Sequence, residues 1–263
     1  MTAPATTLDR FLDGRLLVEQ PARGRHRAGH DAILLAALVP EDARGRLVDL
    51  GAGVGTAGLA AAVRAPGLVV TLAERDGEAL RLARANAIRA ENGLAERVEV
   101  VEVDLLRRGA ARDAVLPRES FDRVLVNPPF FAPTDVRASP HAARADAHVF
   151  AEGALDDWMR VAASVLAAKG WLHLIFRGDG LAEILAALDG RFGEVRIRPV
   201  HPRADAPAHR LLVTAVKGSR ARPAILPGLV LHPAGSDRPL PRAEAILRGR
   251  AGLDDVDLSD GSD

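Results

Sequence analysis

The sequence predicts an α/β fold in which a mostly parallel sheet is flanked by helices. Short apolar runs alternate with longer stretches of helical apolar spacing, and acidic or amide residues follow several of the runs. Strands that alternate with helices form crossover units, whose ligands bind beyond the carboxyl ends of the strands. With 263 residues, 48% hydrophobic and 27% charged, the composition is that of a globular protein and excludes a fibrous or wholly disordered chain.

The elements can be assigned in order along the chain. Six segments are predicted as strands: residues 47–50, 68–73, 98–103, 121–126, 170–176 and 211–216. Three are predicted as helices: residues 32–39, stopped by Pro40; residues from an Asp76 N-cap to Ile88, with Gly93 beyond; and residues 155–168. Residues 10–30 and 198–207 fall outside the pattern, because arginine, glycine and proline dominate them.

One main domain is predicted, at residues 46–218, because no repeat and no Gly/Ser linker divides the chain. A basic N-terminal extension, 1–45, is expected to cover the site, and a C-terminal extension, 219–263, to end in an acidic, disordered tail. Residues 254–263 hold five aspartates and no base, which leaves 35 basic and 30 acidic side chains before them. Of the 35 bases 33 are arginine, which fits either a high-GC coding bias or a polyanionic ligand, and composition alone leaves both open.

Composition also restricts the expected cellular compartment and the kinds of catalytic or metal site that the chain can form. No apolar run approaches the roughly 18 to 20 residues of a membrane span, and residues 1–10 lack a secretory signal, so a cytoplasmic protein without a membrane partner is expected. The chain has no cysteine, hence no thiolate nucleophile and no cysteine-ligated zinc. His26 and His30 are four residues apart, but Gly29 interrupts a helical pair, so no metal site is expected.

A glycine-rich turn follows the first predicted strand of the main domain. Gly51, Gly53 and Gly55 give the spacing G-x-G-x-G, whereas a dinucleotide fingerprint needs its third glycine at position 56, which is Thr56. Asp49 stands just before the turn, where its charge would repel a pyrophosphate. The turn therefore suits a cationic ligand better than a dinucleotide.

Two further acids follow the next two strands. Glu74 ends the strand at 68–73, and an acid there can accept hydrogen bonds from both hydroxyls of a ribose. Asp104 follows the strand at 98–103 and could accept one from an adenine amino group. Each acid, like Asp76, could instead be a helix cap.

Together, Asp49, the glycine turn, Glu74 and Asp104 resemble motif I and the following strand ends of S-adenosylmethionine-dependent methyltransferases. The resemblance implies a Rossmann-like class I methyltransferase fold with S-adenosyl-L-methionine as cofactor. It also implies cofactor-binding roles for a set of matching positions: Asp49, Gly51, Gly53, Gly55, Glu74, Asp104 and Asn127.

Asn127-Pro128-Pro129-Phe130 follows the strand at 121–126. The two prolines remove two N–H donors and hold Asn127 in an extended conformation, so that carbonyls at the strand end can face a pocket. If the Asn127 side-chain oxygen and the Pro128 carbonyl accept the hydrogens of an exocyclic amine, its nitrogen lone pair turns toward a methyl donor. Phe130 can stack on the base with about 1 to 3 kcal/mol. We therefore predict Asn127, Pro128 and Phe130 as catalytic residues.

This tetrapeptide resembles the signature of amino-methyltransferases acting on adenine N6, guanine N2 or glutamine amides. Adenine enzymes more often carry tyrosine at the fourth position, and this chain has no tyrosine. Guanine N2 of ribosomal RNA and glutamine N5 of a protein therefore stay open beside adenine. A nonenzymatic RNA-binding or nucleotide-sensing module is a further alternative, against which the intact Asn-Pro-Pro motif argues.

The N-terminal segment narrows the resemblance. This segment resembles a Gly-x-Asp-x-x-Leu-Leu sequence of the bacterial tRNA(Val) adenine-N6 methyltransferase family, which Gly29, Asp31, Leu34 and Leu35 match. The strand at 211–216, with its flanks, is similar to the last strand of that family. The resemblance, over residues 10–250, implies methylation of an adenosine next to the anticodon of valine tRNA, with Asp31 helping to enclose the cofactor. Candidate contacts to tRNA phosphates are arginines: Arg23, Arg25, Arg27, Arg137, Arg144, Arg203 and Arg210. The sequence does not indicate an oligomeric state.

Overall fold

The computed structural model describes residues 5–22, 29–107, 109–129 and 154–253. An N-terminal hairpin of β1 (Thr6–Phe11) and β2 (Leu16–Pro21) stands apart from the main sheet. The main sheet is formed by the later strands: β3 (Arg44–Leu50), β4 (Gly67–Glu74), β5 (Val98–Glu102), β6 (Phe121–Val126), β7 (Leu166–Arg177), β8 (Phe192–Arg203), β9 (Arg210–Lys217), β10 (Ala224–Ile225) and β11 (Leu229–His232).

The helices are short and lie between the strands. They are α1 (His30–Ala36), α2 (Thr56–Arg64), α3 (Gly77–Ala87), α4 (Ala110–Val115), α5 (Ala154–Val165), α6 (Leu181–Leu188) and α7 (Pro241–Leu247). Along the described part of the chain, none of these helices is long and apolar enough to cross a membrane.

The sheet runs in the order β10-β8-β9-β7-β6-β3-β4-β5, and β11 also pairs with β8. Among the five strands from β3 to β7, each pair of neighbours is parallel. In contrast, β9 is antiparallel to both β7 and β8. The predicted fold class, a mostly parallel sheet flanked by helices, is confirmed. Its strand order reverses at β3, so the crevice beside β3 is where an open α/β sheet binds its ligand.

Each face of the sheet is buried by its own layer of apolar side chains. On one face, Ile33 of α1, Leu59 of α2 and Leu82 of α3 pack together and are at most 1% exposed. On the other, Met159 of α5 and Ile184 of α6 are fully buried. Burying a side chain of this size contributes about 1.5 to 3 kcal/mol, so the two layers hold the strand ends in fixed positions.

Two buried asparagines fasten the N-terminal hairpin to α3 and to the segment after it. The Asn86 side chain accepts the Glu19 N–H (2.8 Å) and donates to the carbonyls of Glu19 and Val54 (3.0 Å each). Asn92 accepts the Leu17 N–H at 2.8 Å and donates to the Leu17 carbonyl at 2.9 Å. The hairpin is thereby held beside the residues that follow β3.

Two predicted elements differ from the structure. The helix predicted at 155–168 ends at Val165, because Leu166 pairs with Phe121 and begins β7. Residues 198–203, assigned outside the strand pattern for their proline and arginine content, lie in β8. β10 pairs with β8 up to Ile197 and β11 pairs from Val200, so Pro199 falls between the two pairings, where its missing N–H costs little.

Residues 219–253 pack on the same core as the main domain. β10 and β11 join the sheet, Ile246 of α7 is fully buried with Ile33, and the Leu253 N–H donates to the Ala37 carbonyl at 2.8 Å. The division of the chain at residues 46 and 218 stays a prediction. The acidic tail, 254–263, lies outside the described residues.

Candidate active site

The predicted site residues on β3 to β6 meet at one edge of the sheet. Leu50 pairs with Ala73 on one side and with Val126 on the other, so Gly51, Glu74 and Asn127 are the next positions of three neighbouring strands. Neighbouring strands lie about 4.8 Å apart. The glycine turn therefore leaves the sheet between an acid and an amide, at the crevice beside β3.

The backbone conformation of the turn favours glycine at positions 51, 53 and 55. Gly51, Gly53 and Gly55 have φ angles of 70°, 58° and 91°, which side chains rarely adopt. The N–H groups of Gly51 and Ala52 both donate to the Ala73 carbonyl, at 2.9 and 3.0 Å, and fasten the start of the turn to β4. The turn then leads directly into α2.

Glu74 organises the turn as well as facing the crevice. Its Oε2 accepts the Gly53 N–H at 2.7 Å, and its Oε1 accepts the N–H groups of Arg75 (2.7 Å) and Asp76 (2.8 Å). A carboxylate has about four acceptor sites, so about one is left for a hydroxyl donor. The sequence analysis predicts a ribose contact for Glu74 but does not predict its hydrogen bond to the turn, because no sequence pattern indicates that bond.

Asp49 is a buried acid beneath the turn. Its carboxylate is 2% exposed and accepts the Gly58 N–H at 2.8 Å. Burial raises the pKa of Asp49 to about 7; the Gly58 hydrogen bond lowers it and the negative charge of Glu74 raises it. An approaching cation would favour the ionised form. Asp49 is thus placed to respond to a positively charged ligand in the crevice.

The raised pKa of Asp49 predicts two opposite pH dependences. Its folded pKa lies above the ordinary value of 3.8, so its contribution to stability is present at low pH and is lost as pH rises through about 7. The affinity for a cationic cofactor should instead rise about tenfold between about pH 6 and pH 8, as the carboxylate ionises. Calorimetry between about pH 6 and pH 8 checks the affinity, and urea unfolding between about pH 4 and pH 8 checks the stability.

Asp49→Asn is the matched control, because it keeps the shape of the side chain and removes the titration. It should flatten both pH profiles and raise the free energy of unfolding at about pH 8, where the wild-type carboxylate is ionised. Unchanged profiles in the variant would place the titrating group elsewhere.

Asp104 and Asp76 differ in how they are used. Asp76 is the N-cap of α3, since its side chain accepts the N–H groups of Glu78 and Ala79. Asp104 is exposed, accepts the Leu106 N–H at 3.1 Å and lies 3.9 Å from Arg75. The capping alternative therefore holds for Asp76, while Asp104 keeps free acceptor capacity at the end of β5.

Trp158 packs against Gly51 at the start of the turn. A Cβ added to Gly51 would lie 2.5 Å from Cη2 and 3.0 Å from Cζ3 of Trp158, so the six-membered ring of the indole lies against this glycine. Trp158 is 6% exposed, as expected of a core residue, and its Nε1 has no hydrogen-bond partner among the described residues. The sequence analysis does not predict this contact of Trp158 with the turn.

Asn127 follows β6 directly, half-buried, with Pro128 buried behind it. Of the predicted catalytic residues, Phe130 lies outside the described residues, as do Arg23, Arg25, Arg27, Arg137 and Arg144. Of the three predicted catalytic residues, the structure therefore describes Asn127 and Pro128.

The remaining predicted residues are bound to one another or to neighbours. Arg210, predicted for RNA, and Asp31, predicted for the cofactor, form an ion pair at 2.8 Å. Arg203 bonds Asp237 and the Ser236 carbonyl, at 2.5 Å each. Arg210 starts β9, next to the end of β7, so the Asp31 pair borders the same edge of the sheet.

A family model described as the methyltransferase small domain matches residues 28–197. The chain belongs to this family. The match includes the glycine turn, Glu74, Asp104 and the Asn-Pro-Pro segment.

Curated relatives of this methyltransferase small domain protein have different substrates. It is 28% identical to a release factor glutamine methyltransferase from Chlorobaculum tepidum, over 74% of this chain and 67% of that protein. It is also 28% identical to a tRNA1(Val) (adenine(37)-N6)-methyltransferase from Bacteroides fragilis, over 58% of this chain and 61% of that protein. The chain thus spans less than two thirds of the length of that tRNA enzyme.

A solved structure, described as a predicted O-methyltransferase from Agrobacterium tumefaciens, is similar over most of its length. The identity is 39%, the TM-score is 0.73, and 85% of this chain and 98% of that chain are covered. The descriptions of these three proteins thus name a glutamine, an adenine N6 and an oxygen as the acceptor.

The chain is an S-adenosyl-L-methionine-dependent methyltransferase: family and fold agree, and solved structures of this fold contain that cofactor. The site fits it. Glu74 has acceptor capacity for a hydroxyl, Asp49 can balance a positive charge, and an added Cβ at Gly53 would meet no heavy atom within 4 Å. Glycine at position 53 thus leaves open space beside Glu74.

Proposed function

We propose that this methyltransferase modifies the N6 amine of an adenosine in tRNA, next to the anticodon of valine tRNA. The observation that carries the proposal is the position of Asn127 and Pro128, at the end of β6 and one strand away from Gly51. The resemblance of residues 10–250 to the tRNA(Val) family and the match to the Bacteroides fragilis enzyme support the RNA substrate.

The acceptor amine needs activation because its lone pair is delocalised into the ring. The Asn127 side-chain oxygen and the Pro128 carbonyl accept its two hydrogens and turn the lone pair out of the ring plane. Phe130 stacks on the base. Bound S-adenosylmethionine would supply the methyl group: its bond to sulfur would break as the bond to the acceptor nitrogen forms, and a neutral thioether would remain. One proton then leaves the nitrogen for water.

Positioning supplies most of the catalysis in this scheme, because a sulfonium needs no metal or strong base for displacement. On the cofactor side, Glu74 binds the ribose and holds Gly53, Asp104 accepts from the adenine amine, and Asp49 balances the positive charge. Asp31 helps to enclose the cofactor through its ion pair with Arg210.

Binding of tRNA rests on the seven arginines proposed for phosphate contacts. Affinity should fall steeply with salt, because each neutralised phosphate releases counterions. Arg203 and Arg210 already have carboxylate partners, so contact with RNA would exchange or share them.

Glutamine N5 of a release factor is the second candidate. It is favoured by the longer match to the Chlorobaculum tepidum enzyme, 74% of this chain. An amide nitrogen is also planar, with a delocalised lone pair, so Asn127 and Pro128 would serve it in the same way. Guanine N2 of ribosomal RNA is the alternative that Phe130 leaves open.

The substrate is tested by giving the full chain methyl-deuterated S-adenosylmethionine with tRNA, ribosomal RNA or release factor, in separate reactions. Mass spectrometry of nucleosides and peptides should find deuterated N6-methyladenosine from tRNA. Deuterated N2-methylguanosine, or methylglutamine in the release factor, would reject the proposal and select the other acceptor. Heat-denatured protein gives the background.

A further inference from the structure

The side chain of Asn86 contacts both the N-terminal hairpin and the glycine turn. Asn86 lies in the last turn of α3 and is fully buried. Its oxygen accepts the Glu19 N–H at 2.8 Å, and its nitrogen donates to the carbonyls of Glu19 and Val54 at 3.0 Å each. Glu19 belongs to β2, whereas Val54 stands between Gly53 and Gly55. One buried amide therefore joins the hairpin to the turn.

The orientation of this amide follows from the chemistry of its partners. The two carbonyl oxygens can only accept a hydrogen bond, and the Glu19 N–H can only donate one. An amide rotated by half a turn would place its oxygen against both carbonyls, so the observed orientation is the one that satisfies all three partners. Val54 is 7% exposed, and removing the amide would take this partner from its carbonyl. A buried carbonyl that loses its partner destabilises the conformation that buries it.

Asn92 makes the same pair of bonds to β2 without reaching the turn. It accepts the Leu17 N–H at 2.8 Å and donates to the Leu17 carbonyl at 2.9 Å, and it also donates to the main-chain carbonyl of Asn86 at 3.0 Å. Leu17 and Glu19 are two residues apart, so both asparagines bind the same edge of β2. The two asparagines thus differ in the contact that matters here, the bond from Asn86 to Val54.

The first part of the turn is held by β4 instead. Gly51 and Ala52 donate to the Ala73 carbonyl, and Gly53 donates to Glu74. Val54 follows these residues in the chain and α2 begins at Thr56, so the Asn86 bond holds the part of the turn that leads into α2. The conformation of the turn therefore depends on α3 as well as on β4.

The hairpin gives the Asn86 amide a fixed support, because the hairpin belongs to the core. Leu12, Leu16 and Val18 are at most 1% exposed, and they share one apolar cluster with Val54. Undocking the hairpin would expose these side chains to water, which is unfavourable for each of them. Glu19 is thus held in place, and the amide that binds it is held in place with it.

We propose that Asn86 is a positioning residue of the cofactor site, which couples the N-terminal hairpin to the glycine turn through the Val54 carbonyl. Its amide is occupied by backbone partners, so it acts through the turn rather than on a reacting atom. A turn that already has its bound conformation binds its ligand more tightly, because less order is lost on binding. The hairpin is then part of the S-adenosylmethionine site, whichever acceptor is methylated.

The test compares Asn86→Ala with Asn92→Ala in the full chain, since each variant removes one pair of bonds to β2. Urea unfolding shows that each variant is folded and measures its loss of stability. Calorimetry with S-adenosylmethionine gives the Kd of the folded protein. We expect the Kd to rise at least about tenfold in Asn86→Ala, a change of about 1.4 kcal/mol, and by less than about threefold in Asn92→Ala.

A purely structural role for Asn86 leads to a different result. Both variants would then lose stability, while the folded molecules would bind the cofactor alike. A rise in Kd below about tenfold in Asn86→Ala, or an equal rise in both variants, overturns the proposal. No readout uses methyl transfer, so a failure of the proposed acceptor leaves this result unchanged, and the two failures can be told apart.

Hydrogen exchange in the unsubstituted chain gives a second measurement, which decides the matter if Asn86→Ala does not fold. Coupling between two sites is reciprocal, so a cofactor bound at the turn must also hold the hairpin more tightly. Saturating S-adenosylmethionine should slow exchange of the Glu19 amide at least about threefold more than that of the Ile184 amide, which lies in α6 on the other face of the sheet. Equal slowing of both amides would report only general stabilisation by a ligand and would overturn the proposal.

Discussion

Replacing Asn127 by alanine is expected to lower kcat by about 100- to 1000-fold, the range typical of losing one preorganised hydrogen-bonding group. The substrate amine would keep its lone pair in the ring, because one of its two acceptors is gone. The Kd for S-adenosylmethionine should change far less than kcat, since Asn127 is only one of the expected cofactor-binding positions and Glu74 and the glycine turn remain. Single-turnover kinetics and calorimetry on the same preparation measure the two effects separately.

Asn127→Asp is the informative control, because it keeps an acceptor oxygen at the same place. It should retain clearly more activity than the alanine variant. A large loss of cofactor binding together with normal turnover at saturation, in either variant, would contradict the role assigned to Asn127.

Gly51→Ala should destabilise the protein by about 2 to 4 kcal/mol and reduce cofactor binding with it. Its φ of 70° strains any side chain, and the new Cβ would lie 2.5 Å from Cη2 of Trp158. The indole has little room to move, because Trp158 is 6% exposed. Urea unfolding measures the loss of stability.

Gly53→Ala is the matched control, with a φ of 58° but no heavy atom within 4 Å of the added Cβ. It should lose only about 1 kcal/mol of stability. Its cofactor affinity should nevertheless fall, because the methyl group enters the space proposed for the ligand. Trp158→Leu should restore part of the stability in the Gly51 variant; equal losses in both glycine variants, without such rescue, would show that the Trp158 contact is unimportant.

The cofactor side of the site could be predicted because its chemistry is local in sequence. Asp49 lies in a strand with a plain apolar run, the turn follows that strand, and Glu74 ends the next one. Parallel strands bring such ends to one edge of the sheet. The hairpin at residues 6–21 and helix α6 were not predicted. The hairpin is held by Asn86 and Asn92, far along the chain, and no local pattern reports such contacts.

Long-range pairing also explains the other misses. The position of Trp158 against Gly51 depends on where α5 packs, and no local sequence pattern predicts it. Residues 198–203 could not be predicted as a strand, because only the fold shows that Pro199 lies where β10 ends and β11 begins.

A crystal structure of the full chain with S-adenosylmethionine tests the central proposal most directly. We expect a ribose hydroxyl on Glu74, the adenine amine near Asp104, and the transferable methyl group facing the Asn127 side chain at the end of β6. A cofactor bound away from the glycine turn, or a methyl group on the opposite side from Asn127, would contradict the account.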